Sequence, residues 1–285
     1  MGGVPHARWA GSIFPAGGGL SYRRVTTPQR AALVTGGSRG IGAATVLALA
    51  RRGLDVAFTY RSRKRRAEQV AAEALATGRR VLAIASDMTK VEATAQLFDE
   101  LRGWTQHLDV LVLNASGGLE PGMAGDPDYP MKINRDAQLA FVQAARPLLS
   151  LVGPASTVVL VTSHWAHLYG TVTQLRAYEP VARSKHAGEQ ALRELLVYGE
   201  PDIRLLVVTG DLVEGTVTPK LLERASRGVA DQRKLVVAGR LPSAADMAGA
   251  IANAALDSSL PSGYTIVVGG ALDSLRSREP HPPDR

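Results

Sequence analysis

Residues 31–53 read AALVTGGSRGIGAATVLALARRG. An apolar run at 31–35 passes directly into Gly36, Gly37, Gly40 and Gly42, and then into an alanine-rich apolar segment. The order is strand, glycine turn, helix. Glycines permit a tight turn and let backbone N–H groups come close to an anion. The helix N-terminus adds partial positive charge at the same point. A pyrophosphate fits such a turn. A glycine run alone fits any tight strand–helix connection, and its place between a strand and a helix is what gives it weight.

Outward from this stretch, short apolar runs alternate with longer helical patterns. Strands are expected at 31–35, 54–60, 80–85, 109–113, 157–162, 203–209 and 264–268. Helices are expected at 40–52, 65–77, 89–104, 131–150, 179–198 and 243–256. This alternation predicts an α/β fold, a doubly wound parallel β-sheet flanked by helices. The 285 residues then divide into one domain at 29–272, an N-terminal extension at 1–28 and a flexible tail at 273–285. The extension holds Gly17, Gly18 and Gly19, two prolines and no periodicity, and reads as disordered.

Composition narrows the function. With no cysteine in the chain, thiolate nucleophiles, disulfides and cysteine-ligated metals are excluded. No apolar run approaches the ~20 residues of a membrane span. The formal charge is +7, and Arg8, Arg23, Arg24 and Arg30 supply +4 of it before the first acid, Asp55. A second basic cluster covers 61–66. Aromatics are only 5% and do not interleave with these runs, which argues against nucleic acid as a partner.

The second strand ends Thr59-Tyr60-Arg61-Ser62-Arg63. A site for NAD usually places Asp or Glu there to bind the ribose hydroxyls. Here Arg61, with Arg39 in the glycine loop, faces the same position. A guanidinium pairs with a phosphate. The reading is NADP(H) over NAD(H). Arg63 to Arg66 read as the solvated start of the next helix.

With these residues in place, the chain resembles the short-chain dehydrogenase/reductase family, whose Rossmann-type sheet fits the strand order above. The Thr-Gly-x-x-x-Gly-x-Gly pattern is complete at 35–42. The resemblance covers about 31–270. It implies cofactor contacts from Gly36, Ser38, Arg39, Gly40, Ile41, Gly42, Tyr60, Arg61, Asp87, Met88, Asn114, Ala115 and Lys185. Asn114 and Ala115 match the family's pattern after the fourth strand, while Leu113 and Ser116 depart from it. Asn134 falls where the family has an asparagine that supports the catalytic lysine through water.

The resemblance also implies hydride transfer between nicotinamide and a carbonyl or alcohol, with serine, tyrosine and lysine at the reacting end. Ser163 and Lys185 stand where expected. Four residues before Lys185, however, is Val181, so the Tyr-x-x-x-Lys pattern is broken. Valine cannot exchange a proton. Tyr178 lies seven residues before Lys185, on the same helix face one turn further out. Alternatives are His164, which titrates near neutrality, water, or the substrate's own hydroxyl. His167 and Tyr169 share the loop with His164. Trp165, Tyr169 and Leu212 are expected to line the pocket, with a lid at 211–235.

The catalytic set is thus Ser163, Lys185, Asn134 and Tyr178, with no metal. The expected function is an NADPH-dependent ketoreductase acting on a small-molecule carbonyl. The resemblance implies a homodimer or homotetramer, and the cytoplasm is the expected compartment. The alternative is a catalytically silent NADP(H)-binding sensor or scaffold.

Overall fold

A strand buried on both faces is apolar at consecutive positions, not alternate ones. Seven segments carry such runs: β1 (Ala31–Val34), β2 (Asp55–Tyr60), β3 (Val81–Ala85), β4 (Val110–Leu113), β5 (Thr157–Ser163), β6 (Arg204–Gly210) and β7 (Thr265–Val268), the edge strands β3 and β7 being only partly buried. They pair in parallel in the order β3-β2-β1-β4-β5-β6-β7. The computed structural model describes residues 29–119, 126–152, 156–199, 202–225, 228, 231, 233–234 and 240–276. The expected extension at 1–28 and most of the expected tail lie outside the described residues. Residues 273–276 form a helical turn.

The described residues also form the helices α1 (Gly40–Arg51), α2 (Lys64–Leu75), α3 (Val91–Trp104), α4 (Tyr129–Met131), α5 (Ala137–Leu149), α6 (His164–His167), α7 (Glu179–Arg193), α8 (Val217–Ala225) and α9 (Ala244–Leu256). Successive strand residues feed opposite cores. Ala31, Leu33, Leu111, Leu113, Val158 and Leu160 pack with Phe98, Phe141 and Leu192 from α3, α5 and α7. Ala32, Val34, Val110, Val112, Val159 and Val161 pack with Val46, Ala67 and Ile251 from α1, α2 and α9. Burying each of the valine, leucine, isoleucine and phenylalanine side chains contributes roughly 1.5–3 kcal/mol. The two-sided cover is why a doubly wound sheet was legible in unbroken apolar runs. A third cluster, with Trp165, Tyr178, Val181, Leu212, Leu222 and Leu241, ties α6, α7 and α8 together. Among the described residues, no helix is long and apolar enough to cross a membrane.

β1 is flanked by β2 and β4, so the sheet changes winding direction there. A crevice opens at the C-terminal ends of strands on either side of such a switch point. Both the glycine loop after β1 and the segment after β4 face it.

Two helical expectations need correction. The helix expected at 131–150 is α4, then a π-helical turn at Lys132–Asp136, then α5. The helix expected at 179–198 likewise passes into a π-helical turn, Glu194–Gly199. Periodicity does not mark an inserted residue within a helix. In addition, 164–167 is helical where a loop was expected, and α8 lies inside the expected lid.

The π turn at Lys132–Asp136 has a direct counterpart in α7. A Cβ on Gly188 would overlap the carbonyl oxygen of Asn134 and lie 3.3 Å from Arg135 Cα. Only glycine lets α7 approach this turn. Gly249, in α9, has open space where a Cβ would stand. Gly188→Ala is therefore expected to destabilise the fold by about 1–3 kcal/mol, whereas Gly249→Ala should be neutral or stabilising by up to ~1 kcal/mol. Urea denaturation of the two variants checks the contrast.

Candidate active site

The glycine loop is shaped by contacts from three strands. Gly36 and Gly40 have φ of +69° and +54°, the left-handed region that favours glycine. A Cβ on Gly42 would overlap the Gly36 carbonyl oxygen and stand 2.6 Å from Asn114 Nδ2. The Gly36 N–H donates to Thr59 Oγ1 at 3.0 Å, and the Gly37 N–H donates to the Thr59 carbonyl at 2.8 Å. From the other side, Thr35 Oγ1 accepts the N–H groups of Asn114 and Ala115 at 2.9 and 3.0 Å. Asn114 Nδ2 donates to the Thr35 carbonyl at 3.0 Å. The first-turn N–H groups of any α-helix lack partners inside it. Arg39, at the N-cap of α1, is extended and supplies no capping side chain. Those donors are left for a bound anion.

This loop forms one end of a cavity of about 860 Å³. Its wall includes Gly36, Ser38, Arg39, Gly40, Ile41, Gly42, Tyr60, Arg61, Asp87, Met88, Asn114 and Ala115, together with Ser163, Tyr178 and Lys185. Fold and cavity thus bring together the cofactor-side candidates with Ser163, Tyr178 and Lys185, while Asn134, His164 and Tyr169 are not part of the wall. Asp87 Oδ1 accepts the N–H and hydroxyl of Thr89 at 3.0 and 2.7 Å, which fixes the turn after β3. Arg61 donates from Nη1 to Tyr129 Oη at 2.7 Å.

At the reacting end, Tyr178 Oη donates to Ser163 Oγ at 3.0 Å. Tyr178 caps α7, with Pro180 in the first turn, and its carbonyl accepts the Ala182 N–H at 2.8 Å. From this position at the start of α7 the hydroxyl reaches β5. Ser163 Oγ also accepts the Ala166 N–H at 3.3 Å, capping α6. Both contacts use lone pairs, so the serine proton is left to donate. Burial pushes the Tyr178 phenol up, against the opposing effect of the Ser163 hydrogen bond. Its hydroxyl stays protonated at neutral pH. Burial lowers Lys185 to about 8, with Glu189 one turn away opposing the shift.

Asn134 is buried in the π turn. Its Oδ1 accepts from Ser116 Oγ at 2.9 Å and from the Gly117 N–H at 3.4 Å. Its Nδ2 donates to the Gly117 carbonyl and to Ser184 Oγ, both at 3.0 Å. The amide is fully engaged in positioning the neighbour of Lys185.

Two sequence candidates fall elsewhere. His164 is wholly buried and lies outside the cavity wall, with Nδ1 3.1 Å from Thr209 Oγ1 and Nε2 2.9 Å from the Gly270 carbonyl. Burial lowers it to about 4, Asp211 partly offsetting this. It is a neutral structural group at neutral pH, which corrects its reading as a proton donor. Tyr169 does not line the cavity and donates to Glu179 Oε1 at 2.6 Å. Trp165 and Leu212 do line it.

Sequence reasoning missed Tyr129, Thr59 and the pair formed by Asp211 and Arg233. Arg233 Nε lies 2.9 and 2.8 Å from the two Asp211 carboxylate oxygens, with both side chains buried. The guanidinium also sits 5.5 Å from the centre of the Trp165 ring. No periodicity relates residues 22 positions apart; the composition of the segment carries no mark of the pair.

A doubly wound parallel sheet with a glycine-rich crevice and an adjacent serine, tyrosine and lysine defines a class of nucleotide-binding folds. The sequence model of the short chain dehydrogenase family matches residues 30–225, and the chain belongs to that family. It is 36% identical over 145 residues to a hydroxynaphthalene reductase-like protein, Arp2, of Metarhizium robertsii. That match covers 50% of this chain, and it spans about half of the relative, 53%. Among solved structures it resembles the reductase LugOII, described as catalysing keto-reduction at C1 during lugdunomycin biosynthesis, with 26% identity and a TM-score of 0.71 over 85% of this chain and 98% of that one. It also resembles a blue fluorescent protein from a metagenomic library in complex with NADPH, with 28% identity and a TM-score of 0.72 over 87% and 98% of the two chains.

The lowered Lys185 gives a direct test. Its charge is expected to be lost at about pH 8, against ~10.4 for a lysine in the unfolded chain. Between those values the unfolded state binds the proton and the folded state does not. Lys185 therefore penalises the fold below pH 8, and that penalty is relieved as pH rises through the window. A side-chain NMR titration, assigned with Lys185→Met, should give the midpoint near 8.

Proposed function

We propose that this chain is an NADPH-dependent reductase that converts a ketone to an alcohol, with Tyr178 as the proton source. The observation that carries the reading is the Tyr178–Ser163 hydrogen bond of 3.0 Å at the cavity wall. It supplies a phenol at the expected serine although Val181 stands four residues before Lys185.

The residues present suit a dinucleotide. The Gly42 position is closed to any Cβ, and the uncapped start of α1 leaves backbone donors for a pyrophosphate. Arg39 and Arg61 line the wall, and no carboxylate occupies 59–63. This favours a 2′-phosphate, as does the NADPH held by a similar structure. When bound, the cofactor supplies a hydride to the carbonyl carbon.

The chain's own groups handle the oxygen. Ser163 Oγ–H donates to the carbonyl oxygen and polarises it. As negative charge develops there, the serine proton passes to the oxygen and the Tyr178 proton replaces it. The phenolate is then reprotonated from solvent. Lys185, charged below about pH 8, favours negative charge in the cavity and would hold the nicotinamide ribose. Asn134 fixes Ser184 and thereby the turn of α7 that carries Lys185. Leu119, Trp165, Val181 and Leu212 give the reacting end an apolar wall, which suits an uncharged ring ketone.

Two outcomes are expected with NADPH and a panel of ring ketones. Tyr178→Phe should lower kcat ~100-fold or more while leaving NADPH affinity unchanged. Equal turnover by wild type and variant would remove Tyr178 from the chemistry, and NADPH binding without turnover of any ketone would favour a silent sensor. The wild-type rate of reduction should also fall as pH rises through about 8, because Lys185 loses its charge there.

A further inference from the structure

The Arg61–Tyr129 hydrogen bond crosses the crevice. Arg61 follows β2 and Tyr129 stands in α4, in the segment that follows β4. These two strands lie on opposite sides of β1. Both residues line the cavity. The Tyr129 ring is anchored, only 8% exposed, in the apolar core with Met88 and Ile133. Arg61 is exposed, on a loop. Of the pair, the tyrosine is fixed and the arginine is held by it.

We infer that Tyr129 is a positioning residue for cofactor selectivity: its hydroxyl holds the Arg61 guanidinium across the crevice mouth, pre-set to receive a 2′-phosphate. The inference rests on the NADPH reading above. A guanidinium carries five N–H donors in a rigid fork, so one donor given to Tyr129 leaves others to pair with phosphate oxygens. A free arginine surrenders rotamer freedom when it binds. One already held by a buried phenol has less to surrender. The selectivity of the site then depends on a residue nearly seventy positions from the arginine, on the other side of the switch point.

The test uses the full chain and calorimetry with adenosine 2′,5′-bisphosphate, which carries the 2′-phosphate without a nicotinamide, beside AMP, which lacks it. Tyr129→Phe keeps the ring in its apolar packing and removes only the hydroxyl. It should weaken the bisphosphate ~3- to 10-fold and leave AMP unchanged. In an Arg61→Ala background the same substitution should have no further effect, because Tyr129 acts through Arg61. Unchanged or tighter bisphosphate binding by Tyr129→Phe, or equal loss for both nucleotides, overturns the inference. If Arg61→Ala itself leaves the preference for the 2′-phosphate intact, the NADPH reading fails first. Thermal melts of each variant separate these outcomes from loss of fold.

Discussion

The carboxamide of Asn134 spends its whole hydrogen-bonding capacity inside the wall between two helices and a loop. One oxygen and one nitrogen join the segment after β4 to Ser184 in α7. Ser184 Oγ in turn donates to the Val181 carbonyl at 3.0 Å. The arrangement requires the π turn, which exposes the amide to both partners, and it requires Gly188, which admits the turn. Were the helix regular at this point, α7 would lose its anchor and Lys185 its fixed place. π turns of this kind concentrate where function needs a locally altered helix.

Downstream of that anchor, the start of α7 sets the chemistry. With Val181 in the third position of the helix, an apolar side chain packs at the wall. The phenol instead comes from Tyr178, the residue just before the helix. Tyr178 is well held: its ring is buried in the cluster with Trp165 and Leu212, and its hydroxyl ends on Ser163. Trp165 is packed from behind by Arg233, itself locked to Asp211. The reacting end is thus built from α6, α7 and residues that follow β6, not from the sheet alone.

The sheet and the glycine turn were legible in the sequence because each obeys a local rule. Unbroken apolar runs mean two-sided burial, and glycines before a helix mean close backbone approach. Asp87, Asn114, Ser163 and Lys185 were singled out only through resemblance, and the fold brings all four to the wall of one cavity. His164 was misread because a histidine's chemistry depends on its surroundings: next to Ser163 in sequence, it points into the protein between Thr209 and Gly270. The Arg61–Tyr129 bond and the Asp211–Arg233 pair left no trace in the sequence because they join residues with no common period. The π turn was invisible because its five residues are too few to carry a period of their own.

The position of β1 has a kinetic consequence. Its pairing with β4 joins Ala32 to Val110, so a loop of nearly eighty residues must close before the crevice has two sides. Such long-range pairing is slow, and its entropy is spent before any contact returns it. During synthesis the β1–β2–β3 half emerges with its glycine loop still lacking the contacts from Asn114 and Ala115, and with no opposite wall. Competence to hold a nucleotide therefore arrives late and all at once. A nucleotide that binds only the finished crevice would draw the folding equilibrium toward the native state by mass action.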